Sequence, residues 1–199
     1  MFFSIIFFTC FEQAGSSLTL FAEFSTNRKF LGFTIPTSYF QSLNPLFIIV
    51  FAPIMSLVWA FLRGKYKEPS SIIKFTISLF LISFSFVLMT VAGYYSKESM
   101  VSPLWLVIAY FIMTVAELCI SPIGLSLVSK LAPKQFLSLI MGSWFLTSFF
   151  GNLFAGFWGG EYDNFGPLML FFALSIVAFI SAVVLVFLIP KLKKFIGDV

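Results

Sequence analysis

Six polar side chains lie inside stretches that are otherwise apolar, and their types suit the binding of a small charged ligand. Glu117 sits midway along an apolar segment that begins near Pro103 and ends near Lys130. A carboxylate at that depth has no bulk water to solvate it, and acidic groups placed so usually face a bundle interior or a wet cavity and mark a substrate or ion path. Ser121 follows one turn later on the same helical face,. Pro122 and Gly124 add a lost donor and local looseness, which membrane helices tolerate where neighbours re-satisfy the backbone,. Glu12 heads a second polar series, with Ser16, Thr19 and Glu23 at helical spacing, which predicts one continuous polar stripe,. Glu12 is deep and reads as functional, and Glu23, near the outer end, reads as an interface residue. Asn44 stands beside Pro45, with Gln41 before it and Pro53 after it. Either it contributes to a site at a discontinuous helix, or it bonds carbonyls that the prolines free. Trp144, Ser148 and Asn152 recur every four residues, beside Gly151, Ala155 and Gly159 at the spacing that lets helices approach closely,. Trp144 suits a pocket because its helical neighbours are polar; the alternative is an interfacial belt position.

These groups need helices to hold them. Of 199 residues 60% are hydrophobic and 10% charged, against about 25% charged in ordinary soluble domains, and the mean hydropathy is +1.04. A spanning helix takes about 20 apolar residues, so the chain is expected to be an all-α membrane protein: a single six-helix bundle over 1–199 with helices near 2–22, 39–62, 72–95, 103–128, 137–159 and 167–190. Thirty phenylalanines suit a lipid-facing surface. The net charge of +4 does not indicate nucleic acid, because the basic residues sit in short connections and the tail. Arg63, Lys65, Lys67, Lys74, Lys130, Lys134, Lys191, Lys193 and Lys194 fall on one side and Arg28, Lys29 and Lys97 on the other. By the positive-inside rule both termini are then cytoplasmic. The start, MFFSIIFF, lacks the basic region and cleavage site of a signal peptide,.

Other chemistries find no support. There is no histidine, so Ser-His catalysis is excluded, and Asp163 and Asp198 lie outside the spans, so a paired-aspartate intramembrane enzyme is not expected. Cys10 and Cys119 both lie in apolar segments, where free cysteine behaves as a small hydrophobe,. No metal or cofactor is implied. Any proton carrier must be a carboxylate, and Glu12 and Glu117 are the two at depth.

Ionisable or amide groups at depth occupy the first, second, fourth and fifth spans. The third has only hydroxyls (Ser78, Ser83, Ser85, Thr90), which are expected to bond back to their own helix, and the sixth is plain. That order suits two triplets of opposite topology, with the first two members of each lining a cavity and the third facing lipid. The connection Phe24–Ser38 reads as an exposed loop, and Arg63–Ser71 as a short turn.

Three segments together resemble one family. AELCISPIGLSLVSKLAP (Ala116–Pro133) is similar to the tenth transmembrane helix of the proton-dependent oligopeptide transporters, a family of the major facilitator superfamily; QSLNPLFIIVFAP (Gln41–Pro53) resembles its eighth helix, and FEQAGSS (Phe11–Ser17) its seventh. The resemblance covers the whole chain as the family's C-terminal six-helix half, in the cell (inner) membrane, with the N-terminal half missing or separately encoded. It implies proton and di- or tripeptide symport by alternating access. On the matching positions Glu117 would receive the peptide's amino terminus with Ser121 nearby, Asn44 would bond its backbone, Trp144 and Ser148 would line side-chain pockets, and Glu12 would serve proton coupling. Phe8 stands where relatives often have tryptophan. The rival expectation is an inactive truncated remnant, or a half that acts only as an interaction partner.

Overall fold

A computed structural model describes residues 1–30, 32–65 and 69–196. Lys67 and Asp198, which the charge and catalytic arguments above invoke, lie outside the described residues. Among those described, six helices are long and apolar enough to cross a membrane.

The first span is interrupted. Helix α1 (Phe2–Phe11) passes into a 3-10 turn (Glu12–Gly15), and α2 (Ser17–Phe24) resumes after Ser16, whose φ of −123° and ψ of −97° are not helical. Gly and Ser side by side favour such kinks, so the polar stripe expected from Glu12 to Glu23 is not continuous. A short α3 (Ser38–Gln41) leads into α4 (Leu43–Lys65), which continues as helix through Pro53. Then come α5 (Ser71–Tyr95), α6 (Leu104–Leu131), α7 (Leu137–Gly160) and α8 (Tyr162–Ile196). Helix α6 contains Pro122 without ending there. Within α8, Gly166 takes φ +67° and breaks the helix, which restarts at Pro167. Proline suits that first position because its missing N–H would have had no partner there.

The connection Phe24–Ser38, expected to be an exposed loop, is largely exposed and carries a short hairpin. Lys29–Phe30 (β1) and Phe33–Thr34 (β2) pair antiparallel around Gly32, whose φ is +81°. Thr26 pairs with Val101 of the other loop on that side, through Asn27 N–H to Val101 O at 2.8 Å and Val101 N–H to Ser25 O at 2.9 Å. Glu23 closes onto Arg28 at 2.6 Å.

The core lies between α5, α6 and α8, with α1 and α2 against it. Leu79, Ile82, Phe86 and Met89 of α5 are fully buried, and Phe86 meets Phe171 of α8. The third span therefore does more than face lipid. Ile77, Phe80, Phe84, Val87 and Val91 form an exposed apolar stripe along its far side. Its hydroxyls also divide. Thr76, Ser78 and Thr90 bond back to their own helix, but Ser83 donates to Ser175 O at 2.9 Å and Ser85 to Ala109 O at 3.1 Å, each crossing to a neighbour. Nor is this span free of ionisable groups: Lys74, in its first turn, is buried with its ammonium 4.4 Å from the Trp59 ring.

Candidate functional site

The interruption in the first span presents Glu12. A helix broken inside a membrane must have its loose polar groups re-bonded, and here they are. The Ala14 carbonyl accepts from Thr19 Oγ1 at 2.8 Å and from the Tyr110 hydroxyl of α6 at 3.1 Å. Gln13 is fully buried and uses both its amide groups: Nε2 donates to Thr9 O (3.2 Å) and Ala155 O (3.3 Å), and Oε1 accepts from Ser16 Oγ (3.0 Å) and Ser17 Oγ (2.6 Å). Gln13 thus ties the interruption to α7. Thr19 Oγ1 also accepts from Gln41 Nε2 at 2.8 Å, which joins α2 to α3.

Small residues set α1 on α7. A Cβ built on Gly151 would lie 2.4 Å from Phe8 Cβ, and one on Gly159 would lie 2.7 Å from Ser16 Cβ. Only glycine allows this contact. The same reason applies where α7 meets α6: a Cβ on Gly124 would fall 2.1 Å from the Trp144 ring, so the benzo edge of the buried indole lies against that glycine, three residues beyond Ser121.

On the other side of α6, Asn44 closes the site. Its Nδ2 donates to Thr114 Oγ1 at 3.1 Å and to Glu117 Oε2 at 3.0 Å. Thr114 in turn donates to Tyr110 O at 2.8 Å. Of the two readings of Asn44, bonding to carbonyls freed by proline is not what these bonds do; the amide spans two helices to reach a carboxylate. Rings of Phe47 and Phe51 pack on Phe111 at 5.8 and 5.0 Å.

Glu12 opens the interrupted turn that packs on α7 through the Gly151–Phe8 and Gln13–Ala155 contacts, and on that helix the exposed Asn152 amide donates to Ser148 O at 3.0 Å. Of the six residues singled out, Asn44 and Glu117 are bonded to each other, and Glu12 stands half-buried at the interruption of the first span. Ser121 is half-buried one turn on, Trp144 caps Gly124, and Ser148 stands half-buried a turn further along α7. Gln13 and Thr114 are the bonding partners in this region that the sequence argument passed over. Thr114 has a signal, since Thr114, Glu117 and Ser121 follow the three-and-four spacing of one helix face; Gln13 has none beyond its place next to Glu12. Among the described residues no group of His, Cys, Asp or Glu could hold a metal ion.

The arrangement can bind a cation at a half-buried carboxylate that an amide holds in place. Burial in a low dielectric disfavours a charged acid, so a proton and an approaching ammonium are alternative ways of neutralising it.

The model of the POT family, PTR2, matches residues 1–165. The peptide transporter YePEPT of Yersinia enterocolitica is 42% identical over 198 residues, covering 96% of this chain and 39% of the relative. Dipeptide and tripeptide permease A of Escherichia coli is 31% identical, covering 98% of this chain and 41% of that protein. A crystal structure of a POT peptide transporter in complex with sulfate superposes with TM-score 0.90 at 31% identity, over 99% of this chain and 39% of that one. A POT family transporter bound to a thioalcohol-conjugated peptide gives 0.86, also at 31% identity, with 96% and 39% covered. The chain therefore spans about two-fifths of the length of these relatives. It is a multi-pass membrane protein of transporter architecture and not an enzyme, with half of a major facilitator fold, and it belongs to the POT family.

Proposed function

We propose that this chain is the C-terminal six-helix set of a proton-coupled di- and tripeptide symporter that works by alternating access. The observation that carries the reading is the bond from Asn44 to Glu117 at 3.0 Å. Glu117 receives the peptide ammonium, Asn44 holds that carboxylate and meets the peptide backbone, Ser121, Trp144 and Ser148 line the rest of the site, and Glu12 carries the proton. A second six-helix set closes the cavity from the other side. The relatives' coverage supports that requirement, since they are more than twice as long. The chain sits in the cell (inner) membrane with both termini in the cytoplasm, as the distribution of Lys and Arg supports,.

The test uses Glu117→Gln in vesicles that hold this chain together with a first six-helix set. The substitution keeps volume and removes charge. A bond to a charged group contributes about 1.5–3 kcal/mol, so a dipeptide with a free amino terminus loses roughly 10-fold to 150-fold in affinity. An N-acetylated dipeptide binds weakly to both forms and changes little. Equal losses for both ligands would assign Glu117 to holding the bundle and would remove the amine-receptor reading. A chain that acts only as an inactive or docking half would give no proton-driven uptake in any combination. Reporter fusions after Lys134 and Lys194 are expected to read cytoplasm; a periplasmic signal at Lys194 would overturn the topology.

A further inference from the structure

Tyr110 extends the polar face of α6: Tyr110, Thr114, Glu117 and Ser121 follow at intervals of four, three and four, which is one side of a helix. Its side chain is 1% exposed, too deeply buried to meet a ligand itself. Hydrogen bonds lead from this face to the first two spans and close into a circuit. Gln41 Nε2, near the start of the second span, donates to Thr19 Oγ1 of α2 at 2.8 Å. Thr19 Oγ1 donates to Ala14 O beside the interruption at 2.8 Å, and the Tyr110 hydroxyl donates to the same carbonyl at 3.1 Å. The Thr114 hydroxyl donates to Tyr110 O at 2.8 Å, and Thr114 Oγ1 accepts from Asn44 Nδ2 at 3.1 Å. Asn44 is three residues from Gln41, so the path returns to the second span where it began.

Proton count fixes the direction of these bonds. A hydroxyl has one proton to donate, and a backbone carbonyl only accepts. Thr19 gives its proton to Ala14 O, so Gln41 must present its NH2 group. Thr114 gives its proton to Tyr110 O, so Asn44 must likewise present NH2, and its other N–H falls to Glu117 Oε2 at 3.0 Å. The Asn44–Glu117 bond is the one in this set that a ligand ammonium can replace, because both donors compete for a carboxylate oxygen. The Tyr110 hydroxyl carries the path from the first span to the fourth.

We infer that Tyr110 is a positioning residue for the peptide site: its hydroxyl holds the interruption of the first span on α6 while the second span changes partners at Glu117. The role in transport rests on the symporter reading, but the tie itself does not. With Tyr110 in place, displacing Asn44 from Glu117 loosens α4 and leaves the Glu12–Gly15 turn seated on the helix that holds the ligand. Without the hydroxyl, Ala14 O keeps Thr19, a bond within the first span that does not reach α6. The site then still binds, but the first span no longer follows the fourth.

Two measurements test the inference, and they fail separately. The first is thermal unfolding of the 199-residue chain in detergent. Tyr110→Phe and Thr19→Val each leave Ala14 O one hydroxyl, so each is expected to lower the midpoint by about 2 °C. The double variant leaves that carbonyl neither donor and is expected to fall about 3 °C below the sum of the two. Tyr110→Phe with Ser181→Ala, whose hydroxyl serves Val177 O of its own helix, is expected to be additive. Additivity of Tyr110→Phe with Thr19→Val would overturn the tie. The second measurement uses vesicles holding both six-helix sets, with turnover counted per peptide-binding site so that any loss of folded protein drops out. Tyr110→Phe is expected to leave dipeptide affinity within about 2-fold and to lower turnover about 3-fold to 16-fold, the range for one bond between membrane helices. Thr19→Val, which keeps the tie to α6, is expected to leave both within about 2-fold. Unchanged turnover in Tyr110→Phe, or an equal loss of affinity and turnover, would reduce Tyr110 to a packing role and overturn the inference. If the unsubstituted assembly moves no peptide, the symporter reading fails and the unfolding cycle alone decides the tie.

Discussion

Helices α4 and α5 are nearly equal in apolar character and opposite in what surrounds them. The most apolar stretches of the two spans have mean hydropathies of 2.3 and 2.2, yet none of the first and half of the second is buried within the bundle. Helix α5 packs Leu79, Ile82, Phe86 and Met89 into the core and sends Ser83 and Ser85 across to α8 and α6. Helix α4 exposes Leu46, Ile49, Val50, Leu57 and Phe61, and its contacts with the bundle include the Asn44 amide, the Phe47–Phe51–Phe111 rings and Trp59 against Lys74. Apolarity makes a helix fit to enter a membrane; burial against protein is decided by small and hydroxyl-bearing positions that let another helix approach. The less buried helix is the one that carries a site residue. A binding group on a helix tied down by few contacts can be carried a few ångströms when the bundle changes state, whereas one on α5 could move only by dismantling the core.

The largest effect expected from this contrast is on stability. Phe86→Ala on α5 removes a fully buried ring and is expected to cost about 3–5 kcal/mol, the range for emptying a packed aromatic site. Leu57→Ala on α4, where the side chain is 71% exposed, is expected to stay within about 0.5 kcal/mol. Unfolding of each variant in mixed detergent measures both. Comparable losses would mean that α4 is as firmly packed as α5, and the contrast would fall.

A middle-sized effect separates the interruption of the first span from the helices around it. Gln13→Leu leaves the buried Ser17 hydroxyl without its acceptor and takes from Ser16 and Ala155 one partner each, leaving them the bond they make to each other. Unpaired buried groups cost about 1–3 kcal/mol each, so Gln13→Leu is expected to destabilise the chain by about 2 kcal/mol or more. Gln41→Leu removes a bond to Thr19 at an exposed position and is expected to change little. The same unfolding assay compares them, and hydrogen exchange at Glu12–Ser17 localises the loss. A neutral Gln13→Leu would show that the interruption stands without its amide.

Much of this was readable from the chain, for reasons that differ between residues. Glu117, Glu12 and Asn44 stood out because a charge or amide inside an apolar run has so few inexpensive explanations. Trp144 and the Gly151–Gly159 series followed from spacing. What spacing could not show was where a helix stops being a helix. The Glu12–Glu23 stripe assumed an unbroken period, and the Gly15–Ser16 interruption defeats it by turning Ser16 towards Gln13 and Ala155. Nor could the period tell a serine that serves its own helix from one that serves the next. Ser78, Ser83 and Ser85 look alike in sequence, and Lys74 looked like a loop residue because its partner, Trp59, lies on another helix. Contacts between segments distant in the chain leave no local mark.

Those serines carry the smallest prediction and the finest test of the contrast. Ser83 and Ser85 each donate to a carbonyl that already accepts its own helical bond, on α8 and α6, whereas Ser78 donates to Phe75 O at 2.8 Å within α5. Hydrogen bonds between membrane helices contribute about 0.6 kcal/mol each on average, because the separated helices find partners within themselves. Ser83→Ala and Ser85→Ala are therefore each expected to lower stability by about that amount. Both hydroxyls are buried, and alanine keeps the close approach while removing only the donor, so packing change contributes little. Ser78→Ala is expected to fall below it, since a bond inside one helix does not depend on whether α5 is docked. Because the two crossing serines bind different neighbours, their losses should add in the double variant. The decisive comparison is the difference between the crossing pair and Ser78, read in one assay. If all three substitutions cost the same, the hydroxyls play no part in docking, and the firmness of α5 relative to α4 rests on its buried apolar side chains alone.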